Sequence, residues 1–336
     1  MHRPRTALTA AALACGLCLS GCTGEAEPEP TVIVPPSVVF PTTVPPLAPT
    51  PSESAATPAF QELKAALELF SREKLEEGAS AVLIQARIGS QEWSHAAFSR
   101  DAGASVPEDA RFRIGALART MVAVSVMRLV QEGRLSLDDS ITAHLPGVDG
   151  IPAGIPPTIR QLLGAHSGLP DAASLPSQSV LGLLVERLRG APLGEVLRSE
   201  ILEPLGLAST GMLGGSLRDG MYSTVEDINA FHAALLKGQL LAPESLIDMK
   251  GPVSASYGLG LDHWDDRCTN GYYYGHSGDV PGYGSIAVSS ADAHRQLAIF
   301  VSYATASTSA QPSAVALELT GVAQVALNSG CRFQFR

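Results

Sequence analysis

The chain has 336 residues, a formal net charge of −10 and 45% hydrophobic residues. That length suits one large two-lobed domain with appendages, and the apolar content is that of an ordinary globular chain. The acidic balance argues against a nucleic-acid partner, which would need a basic face.

From the N-terminus, Arg3 and Arg5 precede an apolar, small-residue run from Ala7 to Ser20. Residues 1–21 therefore read as a secretory signal peptide, too short to span a membrane as a helix. The run closes on Leu19-Ser20-Gly21-Cys22, which resembles a bacterial lipobox. The resemblance implies lipidation of Cys22 and a membrane anchor on the extracytoplasmic side. The alternative is an ordinary cleaved signal with a chance cysteine. Residues 22–58 are rich in Pro, with Pro35-Pro36, Pro45-Pro46 and Pro49-Thr50-Pro51, and read as an extended tether.

Phe60, Leu63, Leu67 and Phe70 recur at helical spacing, predicting an amphipathic helix from Pro58 to Glu77, ended by Gly78. Ala81 to Ile88 and Glu92 to Ser99 predict a hairpin around Gly89-Ser90. An apolar helix is expected from Ala116 to Gln131, closed by Gly133. Further helices are expected at Leu181 to Leu188 and at Leu193 to Leu202, the second ending before Pro204. Gly220 to Thr224 reads as the opening of another helix, with Thr224 as N-cap and Asp227 three residues on. Tyr257 to Leu261 begins a strand-rich stretch; Gly284 to Ser289 and Gln296 to Ser302 pair through a turn at Ala291-Asp292; Ser309 to Asn328 closes the chain as a helix. The order implies an α+β fold: one antiparallel sheet built from both chain ends, flanked by N- and C-terminal helices, with an all-helical lobe inserted at about 112–250.

Several motifs carry a family resemblance. Phe112-Arg113-Ile114-Gly115 is followed by Ala116 and, one helical turn on, Arg119. Gly133 to Ile141, Ile159 to Leu163, Ser167-Gly168-Leu169-Pro170, Glu203 to Leu207 and His276-Ser277-Gly278 add to it. From about Phe60 to Val325 the chain resembles the class C β-lactamase and D-alanyl-D-alanine carboxypeptidase family of penicillin-binding-protein-like serine hydrolases. That resemblance implies Phe-Arg-Ile-Gly-Ser-x-x-Lys at the catalytic entrance, with Ser as nucleophile and Lys as its activating partner. Here those places hold Ala116 and Arg119, a methyl group and a permanently charged guanidinium. The family's Tyr-x-Asn would fall near Ala173 and Leu175, and the chain has no Tyr before Tyr222. The remaining motif, His276-Ser277-Gly278, reads either as a surviving ligand-binding strand or as a strand whose Gly278 keeps a close approach to the facing helix. Arg119 reads either as a clamp for a carboxylate or as one half of a salt bridge.

Other chemistry is sparse. A literal Ser-x-x-Lys at Ser71 to Lys74 is expected on a solvated helix face, and His166 is expected to be structural. His276 and Ser277, as strand neighbours, point to opposite faces and cannot form a pair. No metal-ligand spacing or phosphate loop occurs, so no cofactor is expected. Cys268 and Cys331, left after the leader, suit a disulfide in an oxidising compartment. The leading expectation is a membrane-anchored pseudo-hydrolase that binds peptidoglycan peptide or an envelope protein. An active hydrolase with a relocated nucleophile, or a structural envelope protein with a closed cleft, are the alternatives.

Overall fold

The structure, a computed structural model, describes residues 57–99, 110–148, 151, 154, 156–164, 177–214, 220–252, 256–280, 282–303 and 312–329. The leader, the tether, His166, the Tyr-x-Asn places and Cys331 lie outside the described residues.

Helix α1 (Pro58–Glu76) starts where Thr57 accepts from the Phe60 amide and Pro58 occupies the first turn. Its stripe of Phe60, Leu63, Leu67 and Phe70 is buried. Strands β1 (Ala79–Ile88) and β2 (Gln91–Phe98) form the expected hairpin, with Ile88 opposite Gln91. The strand pair β3 (Phe112–Arg113) and a one-turn 3-10 helix (Gly115–Leu117) lead into α2 (Ala118–Gln131).

The helical lobe continues with α3 (Ile141–His144), α4 (Ile159–Leu163), α5 (Ser177–Arg189) and α6 (Leu193–Leu197). Thr158 and Gln161 make a reciprocal capping box at α4. The helix expected to stop before Pro204 instead passes through a π turn at Arg198–Leu202 into α7 (Glu203–Leu205). A proline lacks an N–H and crowds the regular i−4 carbonyl. The wider π turn just before it loosens that register, and Gly206 at φ 69° ends the helix instead.

Short strands β4 (Gly211–Met212) and β5 (Met221–Ser223) join β3 in a three-stranded sheet. Residues 221–223, expected to open a helix, are therefore a strand, because they pair with Phe112-Arg113. Thr224 then caps α8 (Val225–Leu236) by accepting from Asp227 N. Helix α9 (Pro243–Lys250) precedes strands β6 (Asp262–Asp266), β7 (Gly271–Val280), β8 (Tyr283–Ser290) and β9 (Arg295–Tyr303). Helix α10 (Pro312–Ser329) closes the described chain.

The main sheet has the order β2-β1-β9-β8-β7-β6, antiparallel throughout. Within it, the pair β1 and β9 joins the first long strand to the last, with Ile84 opposite Ile299. Alternation along the strands gives two cores. Val82, Ile84, Ile286, Ile299 and Tyr273 face α1 and α10. Leu83, Phe300, Ala287 and Tyr274 face the helical lobe, where α2 is almost wholly buried. Among the described residues no helix is long and apolar enough to cross a membrane.

The same packing corrects the expectation for Ser71 and Lys74. Both are buried, 0% and 5% exposed. They continue the stripe that begins at Phe60, and α10 covers that stripe. Lys74 lies 2.5 Å from both Glu77 and Glu318, and Ser71 Oγ is 3.2 Å from His95 Nε2. A buried ammonium held by two carboxylates cannot act as a base for an inaccessible hydroxyl.

Candidate functional site

The entrance to α2 is built by its neighbours. Ile114 N donates to Met221 O at 3.0 Å, which fixes the end of β3. Gly115 turns with φ 53°, a conformation few side chains accept, and sets Ala116 in the 3-10 turn. Ile114 O then abuts β7: a Cβ on Gly278 would lie 2.3 Å from it. Ser285 Oγ bridges the contact, 3.4 Å from Ile114 O and 3.3 Å from Gly278 O. Gly278 thus has the close approach that one of the two sequence readings required of it.

A second segment is pinned to the other flank of α2. Thr120 Oγ1 donates to Gly260 O at 2.8 Å, and Gly260 N donates to Leu163 O at 3.0 Å. Gly260, at φ 78°, packs so tightly that a Cβ would meet the Ala123 methyl at 2.4 Å. This docking brings Tyr257 to Arg119, whose side chain hydrogen-bonds to it. Among the described residues no carboxylate forms an ion pair with Arg119 within 4.0 Å, and the Tyr257 phenol is its hydrogen-bonding neighbour. Arg119 Nε is buried without a hydrogen-bond partner. The cavity beside it, lined by Val122, Leu163, Leu181 and Tyr257 among others, is about 10 Å³, room for about one water.

Tyr257 also reaches His276 on β7: its hydroxyl is 3.0 Å from Nε2, with the rings edge to face. The tautomer follows from the other ring nitrogen. Nδ1 lies 2.6 Å from Ser277 O, a pure acceptor, so Nδ1 carries the hydrogen. Nε2 is then the acceptor and the Tyr257 hydroxyl the donor. Burial holds His276 neutral, its pKa lowered to about 4, despite the hydrogen bond to Ser277, and the Arg119 charge adds to the lowering. Burial raises Tyr257 to about 12, partly opposed by Arg119.

Asp262 completes the group, its Oδ2 3.8 Å from His276 Nδ1. Burial raises its carboxyl to about 6, against the opposing backbone hydrogen bond from Ser277 and the charge of Arg119. Ser277 pairs across to Ile286 on the strand side opposite His276.

The structure therefore brings together Ala116, Arg119, His276 and Gly278, and adds Tyr257 and Asp262, which sequence reasoning did not single out. The set supplies one fixed cation, a hydroxyl, a neutral imidazole and a carboxyl near its titration point. It offers hydrogen bonds and charge. Among the described residues no three His, Cys, Asp or Glu side chains are placed to hold a metal ion. Cys268 is buried, with Sγ 3.8 Å from the Tyr273 hydroxyl and 4.0 Å from Leu327 O, four residues before Cys331 in sequence.

The family model described as Beta-lactamase matches residues 70–321. Esterase EstB of Burkholderia gladioli is 29% identical over 185 residues, 40% of this chain and 47% of the esterase. Protein Rv1367c of Mycobacterium tuberculosis is 27% identical over 165 residues, 33% of this chain and 41% of that protein. The chain thus spans less than half the length of the curated relatives it matches. Among solved structures, D-amino acid amidase from Ochrobactrum anthropi superposes with a TM-score of 0.65 at 20% identity, over 78% of this chain and 97% of the amidase. The β-lactamase/D-alanine carboxypeptidase from Yersinia pestis gives 0.61 at 14% identity, over 80% and 99%. At such identities these two likenesses speak for the fold.

Proposed function

The chain belongs to the beta-lactamase family, and we propose that within it this protein binds a carboxylate-bearing ligand without hydrolysing it. The observation that carries the reading is the pair Ala116 and Arg119 at the entrance of α2. Acyl transfer in this family needs a serine oxygen at the first place and a group able to take its proton at the second. A methyl group and a guanidinium offer neither. Losing the nucleophile alone removes about a million-fold of rate in a serine hydrolase.

What remains favours binding. Arg119 is held on one side by Tyr257 and keeps Nε unpaired. A guanidinium edge of this kind recognises a carboxylate. We place the protein at the extracytoplasmic face of the membrane, tethered through Cys22, with a cell-wall peptide C-terminus as the ligand. The nearly closed cavity means that binding requires the cleft to open around Arg119.

The test has two arms. A fluorescent penicillin followed by denaturing electrophoresis is expected to leave the protein unlabelled. Stoichiometric labelling that survives denaturation would show an active hydrolase, and peptide mapping would locate its nucleophile. Thermal shift with a peptide ending in D-alanyl-D-alanine is expected to raise Tm, and the C-terminal amide of the same peptide to raise it less. Equal shifts with acid and amide, or none, would remove Arg119 as the carboxylate site and favour a closed structural protein.

A further inference from the structure

Lys74 and Lys250 are both partly or wholly withdrawn from solvent, in different surroundings. Lys74 is 5% exposed and sits between Glu77 and Glu318, each at 2.5 Å. Lys250, the last residue of α9, has no such partner. Its Nζ lies 4.6 Å above the ring of Tyr274. Among the described residues it forms no ion pair and no hydrogen bond. Its position in the last turn suits the dipole of α9, which accounts for a lysine there but leaves three N–H donors unused. Burial lowers its pKa, and no neighbouring carboxylate raises it again.

The surroundings of Lys250 are concave and apolar. Pro243, Leu246, Ile247, Lys250, Gly251 and Tyr274 line a groove of about 430 Å³, within the range of small-molecule sites. Ile247 is 69% exposed on its wall and Tyr272, 46% exposed, stands with its ring 6.4 Å from that of Tyr274. Large apolar side chains so exposed beside a concavity mark a binding surface more often than isolated ones do. The chain as a whole is acidic, so a cation left without a carboxylate beside an apolar trough selects its occupant by charge. Neither Arg119 nor Ala116 lines this groove, and the reading is independent of the function proposed for the cleft.

We propose that the groove between α9 and β7 binds a small amphipathic monoanion, an alkyl or aryl carboxylate. Its head group accepts from Lys250 Nζ, and its apolar body lies against Leu246, Ile247 and Tyr274. No bond is made or broken. Lys250 supplies the charge and the groove supplies the burial. A groove of this volume accommodates a body on the order of ten carbon atoms.

Isothermal titration calorimetry of the full chain with decanoate, held below its micelle concentration, tests this against 1-decanol of the same length. Decanoate is expected to bind at least ten-fold more tightly than decanol. Lys250→Met keeps most of the side-chain stem and is expected to bring decanoate down to the decanol level while leaving decanol unchanged. Ile247→Asp, at an exposed position, is expected to weaken both. Three results would overturn the proposal: no decanoate binding, equal affinity for acid and alcohol, or full affinity in Lys250→Met. The last would put the anion outside this groove. Circular dichroism of each variant confirms that the fold is intact before binding is compared.

Discussion

The same chemical change, Gly to Ala, is expected to have opposite signs at two positions. At Gly278 an added methyl carbon would lie 2.3 Å from Ile114 O and 2.4 Å from Ser285 Oγ. Ser285 can rotate away. Ile114 O cannot, because it belongs to the backbone and also accepts from Leu117 N at 3.1 Å. Strand β7 and the turn before Ala116 must therefore part by about 1 Å to restore ordinary contact, and overpacking of this kind costs about 1–3 kcal/mol. At Gly321, inside α10, an added methyl meets nothing within 4 Å. There the substitution removes the backbone entropy of a helical glycine and stabilises by about 1 kcal/mol. The two variants should thus differ by about 2–4 kcal/mol, with wild type between them. Urea unfolding at unchanged slope gives the comparison directly. If Gly278→Ala is as stable as wild type, or if both variants move the same way, the close approach that holds β7 to the entrance of α2 has been misjudged.

Three other outcomes are expected. His232 donates from Nδ1 to Ile228 O and leaves Nε2 buried and unpartnered; burial lowers its pKa to about 4, so its contribution is complete above pH 6.5 and is lost as pH falls toward 4. Between pH 7 and pH 5 wild type should therefore lose roughly 2 kcal/mol more stability than His232→Phe; equal slopes in urea titrations at the two pH values would contradict this. Cys268 and Cys331 are expected to form a disulfide worth about 4 kcal/mol by loop entropy, and two thiols alkylated in the denatured, unreduced protein would exclude it. Cys22→Ala is expected to move the protein from membrane to soluble fractions, whereas wild type found wholly in the medium would end the lipidation reading.

Local patterns carried much of the fold. The stripe at Phe60, Leu63, Leu67 and Phe70, the Gly89-Ser90 turn and the Thr224 cap all lie within a few residues of the elements they specify, and each appears as expected. The misreadings have local and distant causes. Residue type points Ser71 and Lys74 to solvent, whereas their spacing continues the apolar stripe, and in the structure periodicity prevails. Pro204 reads as a stop, and the π turn that accommodates it has no sequence signature. Within the site, Ala116, Arg119 and His276 were legible because motifs flank them. Tyr257 was not, because its approach to Arg119 depends on Gly260 docking against Ala123 and Thr120, a contact between segments remote in sequence. Asp262 joins the group in the same way, through the pairing of β6 with β7.

The pairing of β1 with β9 sets the order in which the molecule can be made. Ser80 Oγ donates to Ser302 O across 222 residues of chain. Closing a loop of that length costs about 5 kcal/mol of chain entropy, before any of the central sheet has formed to offset it. The hairpin of β8 and β9 and the helices of the lobe have no such barrier. A nascent chain emerging N-terminus first thus holds β1 and β2 as a lone hairpin, its inner edge open, until β9 arrives. The topology makes this a slow-folding, late-committing protein. A ribosome stalled before Arg295 would release a chain with the entrance of α2 complete in sequence but without the strand that joins the two ends of the sheet.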